Sequence, residues 1–175
     1  MTPAILIFIA LMWFPTALLI LGHGEPQATG LIDLVVGFFV VIGATLQATF
    51  YHDVWTAGLL YVHGMLYMTV GYSFITGQTN LRPMGNVSLI TGIVTAVYAL
   101  VWLIGGPDVD GAPLVAQNWS LFIMATIYAI LTYEVTLNCY GKLSGKVLAW
   151  SLIIAIPISL FIPAFWILVD GKLPF

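Results

Sequence analysis

The chain has 175 residues, of which 61% are hydrophobic and only 6% are charged. An ordinary soluble domain has about 25% charged residues, so this chain has too few to cover a water-soluble surface. Its net charge of -3 comes from four basic and seven acidic residues, which excludes the basic patch that nucleic-acid binding requires.

Six apolar stretches follow one another along the chain, and each is close to the roughly 20 residues that a helix needs to cross a hydrocarbon core. The predicted spans are residues 3–22, 29–50, 55–75, 86–104, 118–138 and 147–169. The segments between them are short and contain polar residues, glycine or proline. We therefore expect an all-α integral membrane protein, a bundle of six transmembrane helices in a single domain, residues 1–175.

Small residues recur at every seventh position on two consecutive helices. They are Gly30, Gly37 and Ala44 on the second helix and Gly64 and Gly71 on the third. In lipid, where burial of apolar surface does not drive association, such stripes let helix backbones approach closely. The pattern therefore predicts tight packing between these helices.

The distribution of lysine and arginine predicts the orientation, because basic residues remain preferentially in the cytoplasm. Arg82, Lys142 and Lys146 lie in loops on one side of the predicted bundle, and only Lys172 lies on the other. We therefore expect both termini on the outer, non-cytoplasmic side.

Two carboxylates fall inside the predicted spans, where a charge costs roughly 2.5 to 3.5 kcal/mol on insertion scales and marks a functional candidate. Asp33 is placed in the first turn of the second helix, where it can satisfy free amide groups. Glu134 lies one turn before Asn138 on the fifth helix, so we expect both on one face. Alternatively, Glu134 reaches the interface or pairs with Lys142 or Lys146.

His63 is the third ionisable residue inside a span. If the third helix starts near Trp55, His63 lies roughly 12 Å into the membrane, and Tyr67 lies one turn further. Two interpretations stay open: His63 lines a polar path, or it is a buried strut bonded to a neighbouring helix.

The sequence indicates neither a cofactor nor a metal centre. The single cysteine, Cys139, lacks the neighbours of a zinc or iron–sulfur site, and His63 lacks a buried histidine partner for haem. A phosphate-binding glycine loop with a lysine is absent, and serine and cysteine lack a base at a meaningful spacing. We therefore expect a protein without catalytic residues.

Several segments resemble the urea channel and amide transporter (AmiS/UreI) family. The clearest are the run GLLYVHGMLY at 58–67 and Leu81-Arg82-Pro83 in the next loop. Three further segments are similar: the Glu25-Pro26 turn before Gly30 and Gly37, Gly145-Lys146 with Trp150, and Ile162-Pro163-Ala164. The resemblance implies a ring of protomers, commonly a hexamer, in the bacterial inner membrane. Each protomer would form its own narrow pore for urea or short amides, with Leu6, Trp13, His63 and Tyr67 facing it.

The chain departs from that family in several places. The fifth helix has one tryptophan, Trp119, where the urea channels have a series, and His63 replaces an aromatic residue of the constriction. Ala155 occupies the place of a carboxylate found in acid-gated members, and residues 51–54 replace their long histidine-bearing outer loop. These departures argue against acid gating of that kind.

Three functions are compatible with these patterns. The first is a passive channel or facilitator for small neutral polar solutes, such as urea or short-chain amides. The second is a proton-coupled small-solute transporter in which His63 and Glu134 exchange protons within one cavity. The third is a non-catalytic membrane-anchor subunit of a redox complex, in which the polar residues serve only packing.

The predicted topology can be tested by labelling intact cells with a membrane-impermeant reagent. Tags at Thr2 and Phe175 should both be reachable from outside, whereas a cysteine placed at Gln78 should not be. Labelling of the cysteine introduced at position 78, without labelling of either terminus, would reverse the predicted orientation.

Overall fold

A computed structural model describes residues 2–109 and 112–173, so Phe175, one of the tag positions, lies outside the described residues. The helices are α1 (Thr2–Ile20), α2 (Pro26–Phe50), α3 (Val54–Ile75), α4 (Arg82–Ile104) and α5 (Trp119–Cys139), followed by α6 (Gly145–Asp170). A short antiparallel hairpin of β1 (Asp108–Val109) and β2 (Ala112–Pro113) connects α4 to α5. These elements confirm the predicted six-helix membrane fold.

Five of the described helices are long and apolar enough to cross a membrane by themselves. The remaining helix, α3, is less apolar because it carries His63 and three tyrosines, yet its 22 residues extend about 33 Å. It packs against α2 on one side and α4 on the other. Neighbouring helices therefore provide the surroundings that its polar residues need.

Polar residues just before the apolar runs determine where several helices begin. The Glu25 carboxylate accepts the N–H groups of Gln27 and Ala28, and Pro26 occupies the first helical position. Helix α2 therefore begins three residues before the predicted span, and α4 begins at Arg82, four residues before its predicted span. The predicted starts were late because the first turns of these helices are polar or contain proline.

The early start of α2 corrects the placement of Asp33. This residue was expected in the first turn, but the first turn of α2 contains no acidic residue, and Asp33 is the eighth residue of the helix. Its side chain is fully buried. The free amide groups of the helix start are bonded instead by Glu25.

Helices α2 and α3 form the most extensive helix pair in the described part of the chain, followed by α4 and α5. A Cβ atom added at Gly71 would lie 2.5 Å from the carbonyl oxygen of Gly30, and one added at Gly37 would lie 2.8 Å from that of Gly64. The two backbones thus touch along the glycine stripes. This contact holds α3 in place against α2.

Helix α6 changes its hydrogen-bonding pattern in the middle. It runs as an α-helix over Gly145–Ala155, as a π-helix over Ile156–Phe161 and again as an α-helix over Ile162–Asp170. Proline lacks an N–H, so Pro163 cannot donate to the Ser159 carbonyl as an α-helical residue would. The tyrosine Tyr128 of α5 donates to that carbonyl oxygen instead, over 3.4 Å.

We expect Gly71→Ala to lower the melting temperature of the detergent-solubilised protein. The added methyl group meets backbone atoms, which cannot rotate away, and overpacking of this kind costs roughly 1–3 kcal/mol. Ala96→Leu, which adds bulk at an exposed position of α4, is the control. Equal melting temperatures for the two variants would contradict backbone contact at Gly71.

Candidate functional site

An internal cavity of about 180 Å³ lies among α1, α3, α4, α5 and α6. Its wall is mainly aliphatic and aromatic and contains a few neutral polar side chains. The aromatic and polar members are Trp13, Thr16, His63, Tyr67, Phe74, Tyr128, Thr132 and Asn138. None of the described residues lining it is a lysine, arginine, aspartate or glutamate.

The cavity extends from the middle of the bundle toward one end of it. Ile20, Phe74 and Asn138 on its wall belong to the last turns of α1, α3 and α5, whereas Leu148 lies near the start of α6. This end also carries Arg82, Lys142 and Lys146 in the sequence, so it is the end predicted to face the cytoplasm.

The opposite half of the bundle is closed by apolar packing. Leu6 and Ile9, two and one helical turns beyond Trp13, are only 5% and 2% exposed and belong to the hydrophobic core. They share this core with Leu160 and Ala164 of α6. Leu6 therefore lies in the closed half and is not among the residues that line the cavity.

His63 is bonded through both nitrogens of its ring. Its Nε2 atom lies 3.0 Å from the Thr95 hydroxyl, which donates its only proton to the Thr91 carbonyl oxygen over 2.7 Å. Thr95 can therefore only accept from His63, which assigns the ring proton to Nε2. In a neutral ring, Nδ1 then accepts a hydrogen bond from the Tyr67 hydroxyl over 3.4 Å.

A neutral His63 agrees with its surroundings. The side chain is 4% exposed, and within residues 2–109 and 112–173 it forms no salt bridge. An unpaired charge buried in such a place is costly, so the neutral form is favoured. The sequence left two interpretations of His63 open, a residue that lines a polar path or a buried strut bonded to a neighbouring helix. In the structure His63 both bonds to Thr95 of α4 and lines the cavity.

Four aromatic rings converge at the inner end of the cavity. Trp13 and Tyr128 meet edge to face, with ring centroids 5.2 Å apart and planes at 83°. The His63 ring lies 5.5 Å from that of Tyr128 and 5.8 Å from that of Tyr67. Such packed rings have few alternative rotamers, so they form a narrow and stiff wall.

Thr16 connects the cavity wall to a buried carboxylate behind it. Thr16 lines the cavity, and its hydroxyl donates to both carboxylate oxygens of Asp33, at 2.9 and 3.1 Å. Asp33 has no exposed surface. The sequence placed this aspartate at a helix start, whereas the structure gives it a hydrogen-bonding role across the α1–α2 interface.

Glu134 and Asn138 do not share a cavity, although they are one helical turn apart. Asn138 lines the cavity near the end of the bundle that is predicted to face the cytoplasm. Its Nδ2 atom donates to the Leu143 carbonyl oxygen over 3.0 Å. Glu134 lies in a separate apolar groove between α5 and α6, where Ser151 donates to Oε1 over 3.1 Å. Its Oε2 atom lacks a partner among the described residues.

Sequence reasoning missed three polar residues of the wall, Thr16, Tyr128 and Thr132. One available signal was the single hydroxyl of Thr16, one turn after Trp13 in an otherwise apolar helix. Tyr128 and Thr132 are likewise one turn apart on α5, but threonine and tyrosine occur on many faces of membrane helices. Within the described residues, no group of three metal-binding side chains comes together.

The comparisons with known proteins agree with this architecture. A cryo-EM structure of the Helicobacter pylori urea channel in the closed state matches with a TM-score of 0.83 and 17% identity, covering 99% of this chain and 100% of that chain. A crystal structure of the H. pylori urea channel matches with a TM-score of 0.82 and 18% identity over the same shares. No curated protein matches the sequence. The model of the AmiS/UreI family transporters matches residues 1–171, and the chain therefore belongs to that family.

Proposed function

We propose that this protein is a passive channel for small neutral polar solutes, namely urea and short-chain amides. The observation that carries the proposal is the cavity enclosed within a single chain, with an aromatic wall and a few neutral polar groups. Such groups replace part of the hydration of a small solute without binding it so tightly that it is trapped. Membership of a transporter family and the fold shared with urea channel structures support the same function.

The chemistry of the wall favours neutral solutes over ions. The lining lacks the charged side chains that would compensate an ion for its lost water, and dehydration of an unpaired ion is expensive. The stiff ring cluster of Trp13, His63, Tyr67 and Tyr128 adds a limit on size. A small planar amide suits such a passage better than a sugar or an amino acid.

Passage across the membrane requires the closed half of the bundle to open. We propose that Leu6 and Ile9 form a hydrophobic seal and line the path when this half separates. Helix α1, which carries both residues, contacts α6 along its π-helical segment, where the helical hydrogen bonding is irregular. Leu6 and Ile9 belong to the same hydrophobic core as Leu160 of that segment. In this conformation the cavity is therefore the part of the path on the side predicted to face the cytoplasm. Trp13 lies at the closed end of the cavity.

The proton-coupled alternative required His63 and Glu134 to share a cavity. His63 lines the central cavity, whereas Glu134 lies in the outer groove with Ser151. Proton exchange between the two groups has no direct route in this conformation. The redox-anchor alternative does not agree with membership of a transporter family.

We further propose that the protein forms a homo-oligomeric ring, a hexamer by its family resemblance, in the bacterial inner membrane. Because the cavity is built from one chain, each protomer of such a ring would contain its own path. The partners of the protein would then be membrane lipid, further copies of the chain and the transported solute.

The channel function can be tested by urea-driven swelling of proteoliposomes. Val135→Trp places a large ring in the part of the cavity near the predicted cytoplasmic end. It should reduce urea flux to near the protein-free rate. Val97→Trp adds the same ring at an exposed position of α4 and should leave the flux unchanged. Undiminished flux through a folded Val135→Trp variant would show that the solute does not use this cavity.

A second test concerns pH, and it follows from Asp53, the residue that caps α3. Burial raises the pKa of Asp53, but hydrogen bonds from Thr56 and Gln47 outweigh it and hold the pKa below its usual range. A carboxyl group of this kind stabilises the fold above its unfolded pKa, near 3.9, and loses that contribution only as the pH falls through the lower folded value. The cap therefore stays charged between pH 5 and pH 7.

We accordingly expect urea flux to change little between pH 5 and pH 7 and to be independent of an imposed proton gradient. Glu134→Gln, which removes a charge outside the cavity, should preserve both properties. A steep rise of flux at pH 5 would contradict ungated passage. Flux driven by a proton gradient would restore the coupled mechanism.

A further inference from the structure

The hydroxyl groups of the cavity wall share one property, which is that their protons are already donated to acceptors within the protein. Thr16 donates to Asp33, and Tyr128 donates to the Ser159 carbonyl oxygen. Thr132 donates within its own helix to the carbonyl oxygens of Tyr128 and Ala129, at 3.0 and 2.9 Å. Each hydroxyl has a single proton, so these three groups have only lone pairs left for a solute.

The same holds for the histidine and its neighbours. The proton on His63 Nε2 is bonded to Thr95, and the Tyr67 hydroxyl proton is bonded to Nδ1 of the same ring. Trp13, which also lines this end, carries an indole N–H that can only donate. Apart from this N–H, the polar groups at the inner end of the cavity present lone pairs rather than free hydrogens.

Asn138 is the exception, and it lies toward the end of the cavity that is predicted to face the cytoplasm. One hydrogen of its amide group is donated to the Leu143 carbonyl oxygen. The second hydrogen and the amide oxygen remain, so Asn138 can both donate and accept. A solute meets this mixed group before it reaches the inner end of the cavity.

From these hydrogen bonds we infer that the inner cavity is an acceptor-rich wall, which selects solutes by the number of N–H donors that they carry. The inference rests on the proposed channel function and specifies its substrate class: unsubstituted amides and ureas rather than N-alkylated ones. Asp33 is a positioning residue, because in its ionised form it can only accept, and it then holds the Thr16 proton away from the cavity. Tyr67 and Thr132 act directly through their oxygen lone pairs.

The expected size of the selection follows from the value of single hydrogen bonds. A typical intramolecular hydrogen bond contributes about 0.5–1.5 kcal/mol net, which corresponds to roughly two- to tenfold in rate for each N–H that finds or loses a partner. Sites that hydrogen-bond a donor discriminate strongly against analogues that lack it, because their own polar groups are left unpaired. The carbonyl oxygen of an amide meets at most the Trp13 indole N–H at this wall, and that contact is equally available to each of the amides compared.

Three constitutional isomers separate donor number from composition. Propionamide, N-methylacetamide and N,N-dimethylformamide contain the same atoms and one carbonyl group, but they have two, one and no N–H groups respectively. Their initial fluxes into proteoliposomes are measured after subtraction of the flux into protein-free liposomes. We expect the channel-dependent flux to fall in that order, by roughly two- to tenfold for each N–H lost.

Two variants test whether the wall causes this order. Tyr67→Phe removes the hydroxyl acceptor and keeps the ring, but it also frees the lone pair on His63 Nδ1. The flux ratio of propionamide to N,N-dimethylformamide should therefore fall only part of the way toward one. Tyr133→Phe, the same change at an exposed position of α5, is the matched control and should keep the ratio. Thr132→Val removes an acceptor whose proton is bonded only within α5, and it should lower the ratio even if Tyr67→Phe proves unstable.

The outcomes distinguish this inference from the function on which it rests. Urea flux without the predicted order among the isomers, or an unchanged ratio in both cavity variants, overturns the acceptor-rich wall and leaves the channel intact. Urea flux no greater than in protein-free liposomes overturns the channel function itself. The predicted order, weakened by Thr132→Val or Tyr67→Phe but not by Tyr133→Phe, supports the inference.

Discussion

Lipid offers no hydrogen-bond partners, so a polar hydrogen in a membrane span is costly unless it finds an acceptor inside the protein. Backbone groups meet this requirement by forming helices, and threonines such as Thr95 meet it by donating to the carbonyl one turn earlier. Where proline interrupts α6, Tyr128 donates to the carbonyl left without its usual helical donor. The polarity of the cavity wall is a consequence of the same requirement.

This requirement also connects stability with selectivity. A hydroxyl that has donated its proton to the protein is satisfied, and its oxygen can still accept from a passing solute. The wall can therefore be dry and stable when empty and yet interact with N–H groups during passage. Asp33 illustrates the connection, because the bond that pairs a buried carboxylate with Thr16 also determines what Thr16 presents to the cavity.

Close backbone packing supplies the rigidity that such a wall requires. The glycine contacts between α2 and α3 hold α3, and with it His63 and Tyr67, at a constant position in the bundle. Thr95 of α4 then connects the His63 ring to the opposite neighbour of α3. Selection by hydrogen bonding depends on sub-ångström placement of lone pairs. The glycine packing between α2 and α3 therefore supports the selectivity of the ring cluster.

The sequence by itself determined the six-helix membrane fold and the transporter family, because hydropathy, helix length and a few glycine and proline motifs depend on local composition. It also indicated Trp13, His63 and Tyr67, which the structure brings together around one cavity. Only the tertiary structure separated Asn138 from Glu134 and placed Leu6 in the closed half. It alone paired Asp33 with Thr16 and revealed Tyr128. The reason is physical: helical spacing determines which residues share a face, but the rotation of each helix in the bundle decides whether that face meets a cavity, a neighbour or lipid.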